Sequence, residues 1–402
     1  MRKVLIASFI FFLLFGYGLI LSQFNVSVVP EELKPANYPG FYDYRGVTNV
    51  HTTRGIGSGT PAEVIRAAQE AGLDFIFLTD LNLFNGPTVS DGYHRQLLVL
   101  TANEYSYLEA RLLLYDRQKR HSLDTLGQAQ VVLADLLSQS GPDAESDILV
   151  LAHPTKQGFS WSGPYPSGLD AIEIVNLKSV WQRAWMNTKF SFFWSAIVYP
   201  FNQQLALLRL YDESFEELAL WDQLNQKGRV YGMAGSEATA RTGSSFGKLS
   251  LKFPAYQTSF SLLSNHVVLR SELTGDVEGD RKKILEAIAG GQFYVSLDVL
   301  GDPKGFAAFI QDGEKVHPMG SRVKYVPGMR LKVHLPRRPK TPFETKFIKD
   351  GQELMASNSV DSDYEIHGPG VYRVIARVFP TLTLPDGQRW ITWIYSNPFY
   401  VE

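Results

Sequence analysis

Six polar residues, His51, Asp80, Glu104, His153, Asn176 and Glu237, share one feature: each stands at or just beyond the C-terminal end of a short apolar run. Such runs read as strands, and in a βα barrel the C-terminal strand ends converge on one face, where barrel enzymes place their catalytic groups. Taken singly, each residue reads more readily as a loop residue or a helix cap. Six from six strands imply one pocket of imidazoles, carboxylates and an amide. The chain of 402 residues has no cysteine, which excludes disulfides, thiolate chemistry and a lipid-modified cysteine. Any metal must therefore sit on nitrogen and oxygen.

The elements that would position these residues are legible in order. Gly46 to His51 reads as a strand, followed by a loop with Gly55, Gly57 and Gly59 and then by Thr60-Pro61-Ala62-Glu63. That tetrapeptide supplies a Thr cap, Pro at the first helical position and Glu at the third. Val64, Ile65, Ala68 and Ala71 fall on one helical face, Gly72 ends the helix, and Phe75-Ile76-Phe77-Leu78 has the unbroken apolar character of a strand buried on both faces. Further strands are expected at Leu97 to Leu100, Leu112 to Leu114, Ile148 to Ala152, Ile172 to Val175, Val230 to Ala234 and around Phe260 to Leu269. From about Gly301 turn signals multiply and runs such as Val371 to Phe379 and Trp390 to Tyr395 replace helices. The expected fold class is α/β, a β/α barrel over residues 41–300, followed by an all-β sandwich over 301–402.

The N-terminus carries a separate signal. Arg2 and Lys3 precede Val4 to Leu21, an uncharged and mostly apolar run about long enough to cross a bilayer, with its positive end toward the cytoplasm. Residues 1–24 are read as a transmembrane helix that anchors the chain, a cleaved signal being the alternative, and 25–40 as a linker punctuated by Pro30, Pro35 and Pro39. The membrane is thus one expected partner, and the globular part is expected on the extracytoplasmic side, periplasmic or at the cell surface. The balance of 39 basic and 41 acidic residues leaves no basic footprint for nucleic acid.

The site segments read Asn49-Val50-His51-Thr52, Gly57-Ser58-Gly59, Thr79-Asp80-Leu81-Asn82, Asn103-Glu104-Tyr105, Ala152-His153-Pro154 and Gly235-Ser236-Glu237-Ala238-Thr239. Their wording and order resemble the polymerase and histidinol phosphatase (PHP) family, over roughly residues 45 to 300. The resemblance implies a distorted, TIM-like barrel that binds up to three metal ions and hydrolyses phosphate esters. It also implies that several ligands are replaced here: Asn49, Ser58, Leu81 and Thr239 stand where the family has ligands, and Arg111 where it has a further His. Ser58, Leu81 and Thr239 would have served one shared metal position, which is expected to be lost. His51, Glu104, His153 and Glu237 are the retained ligands, enough for one Zn²⁺ or Mn²⁺ or for none, with Glu237 one methylene longer than the family's Asp.

Two functions follow from the resemblance. The first is a degenerate phosphoesterase-like domain at the cell envelope that binds a phosphorylated or anionic ligand, or acts as a scaffold, through Arg111 and the pocket rim. The second is a surviving one-metal phosphoesterase in which Glu104 helps to fix the ion and Arg111 or Arg241 stabilises phosphoryl charge. Arg111 is expected to pair with Glu104, to bind an anion or, just as readily, to be a surface arginine on a strand edge; His94 and His121 are loop histidines that could substitute as ligands. The stretch from Trp181 to Phe201, rich in Phe and Trp, reads chiefly as a buried helix over the barrel, with a membrane-touching segment as the alternative.

Overall fold

In a computed structural model, which describes residues 2–30, 37–84, 91–116, 125–139, 147–241 and 253–402, the first βα unit forms as its residues dictate. The N-terminal helix α1 (Arg2–Ser22) precedes β1 (Tyr42–Val50), α2 (Pro61–Glu70) and β2 (Phe75–Leu78). The Thr60 side chain accepts from the Glu63 amide while the Glu63 side chain accepts from the Thr60 amide, so both orphan donors at the α2 start are satisfied. Glycine is required at Gly57, where a Cβ would meet the His51 carbonyl oxygen at 2.2 Å. All four residues of β2 are buried.

The chain continues through β3 (Gly92–His94), β4 (Leu97–Thr101), β5 (Asn103–Tyr107), β6 (Ala110–Tyr115), α3 (Leu126–Ser138), β7 (Ile148–Ala152) and β8 (Ala171–Asn176). There follow α4 (Leu177–Asn187), α5 (Lys189–Val198), α6 (Gln203–Arg209), α7 (Phe215–Asn225), β9 (Tyr231–Gly235), α8 (Tyr256–Phe260), β10 (Ser264–Leu269), α9 (Val277–Ala289) and β11 (Phe293–Ser296). One sheet runs β11-β10-β1-β2-β4-β3 and another β5-β6-β7-β8-β9. The pairs β1–β2 and β7–β8–β9 are parallel, so their C-terminal ends share a side.

The α/β character stands, but among the described residues no sheet closes on itself. The two sheets meet instead at single bridges, Leu81 with Glu104 and Val50 with Ala238. At the second meeting, side chains replace a ladder: Thr48 Oγ1 donates to the Ala234 carbonyl, Ser236 Oγ to the Thr48 carbonyl, and Asn265 Oδ1 accepts from the Ala234 amide. Glu104 is also not a loop residue beyond β4, as the sequence suggested. It belongs to a strand of its own, β5, which begins after Ala102 and pairs with β6.

Beyond residue 300 the regular elements are strands, from β12 (Ala307–Asp312) through β13 (Lys315–Pro318), β14 (Arg322–Val323), β15 (Arg330–His334), β16 (Phe343–Lys349) and β17 (Gln352–Ser357). The last are β18 (Asp361–Glu365), β19 (Gly370–Val378), β20 (Ile391–Ser396) and β21 (Phe399–Val401). β13-β12-β15-β18 form a separate sheet, whereas β20 pairs antiparallel with β11 and so extends the first sheet into this region. Phe309, Leu331, Val374 and Trp393 belong to one apolar cluster that also takes in Leu112, Leu149 and Ile174.

α1 is long and apolar enough to cross a membrane, with a mean hydropathy of 2.6 and little burial. The residues after it are stitched into the fold. Val26, Val28 and Val29 are buried, the Val28 amide donates to the Leu300 carbonyl and the Lys340 amide donates to the Val28 carbonyl. The remainder of the expected linker includes residues 31–36, outside the described residues. The aromatic stretch is corrected too: α5 buries Trp194 and Val198 but turns Phe190, Phe193 and Ile197 outward, because those residues share one helical face.

A buried ionic chain ties β1, β10 and the residues after β11 together. His266 lies between Asp43 (2.8 Å) and Asp298 (3.3 Å), and Arg45 Nε donates to Asp298 at 2.5 Å. Burial alone would lower the His266 pKa, but Asp43 and Asp298 outweigh it and raise it to about 10. Asp298 is pushed below the carboxylate range: burial opposes this, and Arg45 and His266 prevail. The charged imidazole therefore contributes stability that is complete below its unfolded value of roughly 6.5 and is lost as pH rises through about 10. Chemical denaturation of the full chain in detergent should show that decline, and His266→Gln should flatten it. Asp298→Asn at neutral pH should cost about 3–5 kcal/mol, as expected for removing one partner of a buried pair.

Candidate functional site

The strand ends bring most of the expected residues into one chain of contacts, starting from a buried carboxylate. Glu173 sits in β8 with no exposed surface, and its carboxylate accepts from Asn49 Nδ2, the His153 amide and Asn176 Nδ2, each at 2.8 Å. The packing is tight enough that a Cβ on Gly235 would lie 2.1 Å from Glu173 Oε1. Burial raises the Glu173 pKa, against the opposing pull of His153 and the Asn49 hydrogen bond. Asn176 also caps α4, its Oδ1 accepting from the Ser179 amide.

Asn49 passes the contact on, its Oδ1 lying 3.1 Å from His51 Nε2. The β1–β2 register shifts between Val47 and Val50, and Asn49 takes a left-handed φ of 59°, an irregularity that re-aims the strand end. His153 (φ 34°) and Glu237 (φ 40°) are left-handed as well. For non-glycine residues such backbone conformations are uncommon and cluster at functional sites.

Glu104 then joins the two imidazoles: its carboxylate lies 3.3 Å from His51 Nε2 and 3.7 Å from His153 Nε2. The two histidines answer this shared anion differently. Burial lowers the His51 pKa, and Glu104 only partly offsets that. For His153 burial also pulls downward, but Glu237 and the Glu104 hydrogen bond overcome it and raise the pKa.

Glu237 is held by residues that the sequence reading passed over. Lys156 Nζ donates to its Oε1 at 2.5 Å and Lys178 Nζ lies 3.7 Å from the same oxygen. Burial would raise the Glu237 pKa, yet Lys178, His153 and Lys156 bring it down to about 2. Burial lowers the Lys178 pKa, with Glu237 opposing. Lys156 follows His153 by three residues and Lys178 follows Asn176 by two, so the strand-end argument that found the others also reaches these. Lys156 and Arg111 both lie over the Phe159 ring, at 4.9 and 4.8 Å from its centroid.

The residues at the replaced ligand positions have their polar atoms committed elsewhere. Ser58 Oγ donates to the Ala240 carbonyl, Leu81 makes its backbone bridge to Glu104, and the Thr239 carbonyl accepts from the Tyr256 hydroxyl. Tyr256 is a further residue missed by the sequence reading; its single hydroxyl proton is shared between the Thr239 and His51 carbonyls, and its oxygen accepts from the Gly59 amide, tying the loop after β1 to the one after β9. Asp80 accepts from the Thr52 amide and hydroxyl at 2.5 and 2.6 Å, so it shapes the first loop. Arg111 lies opposite Ser106 in the β5–β6 ladder and donates to the Ala110 carbonyl; it makes no ion pair among the described residues, so the expected pairing with Glu104 is not formed. Arg241 is exposed at the end of a described segment, and His94 sits in β3 at the edge of its sheet. His121 lies outside the described residues.

Do these donors fit a metal ion? Among the described residues no group of three or more His, Asp or Glu side chains is arranged to hold one. The reasons are local. Glu237 has two ammonium groups on its Oε1, one at 2.5 Å and one at 3.7 Å, while its Oε2 is buried without a hydrogen-bond partner. His51 Nδ1 and His153 Nδ1 are buried without a hydrogen-bond partner, whereas a metal-bound imidazole normally donates its other N–H to an acceptor that fixes the ring. The set of His51, Glu104, His153 and Glu237 is therefore brought together without forming a ligand cage. A cavity of about 620 Å³ elsewhere, lined by Arg229, Arg322 and Glu402, contains none of these residues.

No known family model matches the chain, and no curated protein sequence matches it. Several solved structures are similar, and two of them show the range. One is a two-domain protein from Bacteroides vulgatus containing a predicted PHP-like metal-dependent phosphoesterase, at 12% identity over 90% of this chain and 98% of that one, with a TM-score of 0.39. The other is a candidate metal-dependent phosphoesterase from Bifidobacterium adolescentis, at 12% identity over 54% of this chain and 94% of that one, with a TM-score of 0.26. The chain is similar to PHP-like proteins. At such identity and overlap, the chemistry of the site rests on its own residues.

The lysines' role is testable through acid stability. A carboxylate with a depressed pKa contributes stability that is present above its unfolded value, roughly 4.3, and is lost as pH falls through its folded value, here about 2. Lys156→Met should move the acid-unfolding midpoint of the full chain, followed by tryptophan fluorescence, to higher pH. The neutral-pH cost should stay below the ~3–5 kcal/mol of a fully broken buried pair while Lys178 remains, and should reach it in the Lys156→Met/Lys178→Met double variant.

Proposed function

We propose that the protein is a membrane-anchored, PHP-type module whose site no longer works through a metal ion and instead binds an anionic group with protein cations. In this reading the ring β1-β2-β5-β6-β7-β8-β9, joined by its two bridges, is a distorted barrel, and residues 301–402 form the sandwich beside it. Arg2 and Lys3 before the apolar run favour an extracytoplasmic position for the globular part.

The observation that carries the reading is the Lys156–Glu237–Lys178 cluster. A divalent ion on Glu237 Oε1 would face the nearer ammonium at roughly 4 Å, a repulsion on the order of 8 kcal/mol at an effective dielectric of 20. By the same estimate that offsets about half of what the carboxylate itself returns to the ion, so the lysines compete with a metal for Glu237. Both ammonium groups and Arg111 lie beside Glu104 and Glu237, and Glu173 already has three uncharged donors, so these cations are the groups an incoming anion would share. A phosphate or carboxylate group is the complementary ligand, held by charge-assisted hydrogen bonds. Binding or scaffolding at the envelope is the role this arrangement of fixed cations supports.

The rival is a one-metal phosphoesterase using His51, Glu104 and His153, and one experiment divides the two. The full chain, purified in detergent without chelators, should contain no stoichiometric Zn or Mn by elemental analysis and should not hydrolyse p-nitrophenyl phosphate with either ion added. It should bind inorganic phosphate in calorimetry, about tenfold more weakly after Arg111→Ala or Lys178→Ala. About one retained ion per chain, with turnover abolished by His153→Ala, would refute the reading.

A further inference from the structure

The molecule carries a second apolar surface, beside the base of α1 and unrelated to the pocket. Trp185, Met186, Phe190, Phe193 and Ile197 all point outward, Phe190 with 70% and Phe193 with 59% of its surface exposed. A soluble face rarely gathers this many large apolar side chains without a partner.

Its place relative to α1 identifies the partner. Asn202 Nδ2 donates to the Leu21 and Phe24 carbonyls, which fixes the exit of α1 against the domain directly after α5. The Phe201 ring packs on Phe15 with centroids 5.7 Å apart, and a Cβ on Gly18 would collide with it at 2.5 Å. Tyr17 donates to the carbonyl of Leu384, which is itself 79% exposed. Phe15 and Gly18 precede Ser22 by seven and four residues, so Phe201 lies alongside the helix about 6–10 Å in from its end. A 21-residue helix is about 31 Å long, matching a hydrocarbon core of about 30 Å. Almost none of α1 is left over to hold the domain clear of the bilayer. Groups packed 6–10 Å along it are therefore at the depth at which interfacial helices lie, about 5–10 Å into the headgroup and acyl boundary.

We infer that this face of α4 and α5, with Leu384, inserts into the leaflet from which α1 emerges, so that the protein is held both by a spanning helix and by a monotopic contact with acyl chains. The nearby cations do not make it an anionic-lipid surface: Lys189 lies over the Trp185 ring at 5.9 Å, and Arg209 is paired with Asp386 at 2.5 Å. Attachment is apolar and should be nearly independent of salt. It fixes the orientation of the domain on the membrane, which a single helix and a free linker would not.

Because the chain has no cysteine, single cysteines can be introduced into the full protein, labelled with a polarity-sensitive nitrobenzoxadiazole and reconstituted into phosphatidylcholine vesicles containing acyl-chain nitroxide lipids. Labels at Phe193→Cys and Ile197→Cys should be blue-shifted and quenched several-fold more than one at Val316→Cys in β13, approaching one at Phe12→Cys in α1. Raising NaCl from about 0.1 to about 1 M should leave this unchanged. Adding Phe190→Glu should abolish quenching at position 197 while sparing position 12. Labels at 193 and 197 quenched no more than at 316 would overturn the inference, whether they are exposed to water or covered by a second copy or another protein. Quenching lost in high salt, or kept in the Phe190→Glu variant, would do the same.

Discussion

Every carboxylate that the strands carry to this site is buried, and a buried carboxylate must be met by charge or by donors from its own chain. That constraint organises the molecule. Glu173 is met by two side-chain amides and a backbone amide, which fixes Asn49, Asn176 and the turn at His153 in one step. Glu104 is met by two imidazoles and Glu237 by two ammonium groups. Away from the site Asp298 is met by Arg45, His266 and Ser264. The Glu173–Asn49 bond and the Glu104 contacts link strands that no ladder joins, so the polar interior does part of the work of holding the two sheets together.

Much of the scaffold was legible because local chemistry and burial agree there. The Thr60–Glu63 box, Phe75–Leu78 and Ile148–Ala152 each satisfy propensity and core packing together, and each folds where it was expected. β5 escaped because Asn103-Glu104-Tyr105-Ser106-Tyr107 is half polar and is held as a strand by its neighbour β6. How the two sheets meet could not be read from strand order either, because the joint rests on two bridges and on side chains such as Thr48, Ser236 and Asn265. The aromatic stretch was misjudged for a different reason. Its composition resembles a core helix, and only the spacing of Phe190, Phe193 and Ile197 against Trp194 and Val198 separates two faces.

At the site, the sequence showed which residues stand at strand ends and not how they share charge. His51, Glu104, His153 and Glu237 converge in the expected region. Lys156 and Lys178 were overlooked because a lysine near a loop is usually solvated, and nothing in one sequence says that its ammonium faces a buried glutamate. Glu173 did leave a signal: a charged residue inside Ala171-Ile172-Glu173-Ile174-Val175 has to be paid for by partners across the sheet.

An ammonium group and a metal ion can both neutralise the same carboxylate, but they leave different sites behind. A metal exchanges with solution, keeps open coordination positions and polarises water; a lysine is tethered, donates along fixed directions and supplies no hydroxide. Ser58 Oγ is turned to the Ala240 carbonyl, and Tyr256 bonds the segments that carry Ser58 and Thr239, so the protein's own groups hold the architecture around the pocket together. What remains adjustable is protonation. His153, raised by its carboxylate neighbours, and Lys178, lowered by burial, both feel the charge of Glu237. An arriving anion would raise both pKa values further and take Glu237's place as their counter-charge. Ligand affinity at such a site depends on how firmly the glutamate holds its lysines, which is set by the scaffold and not by the concentration of a metal.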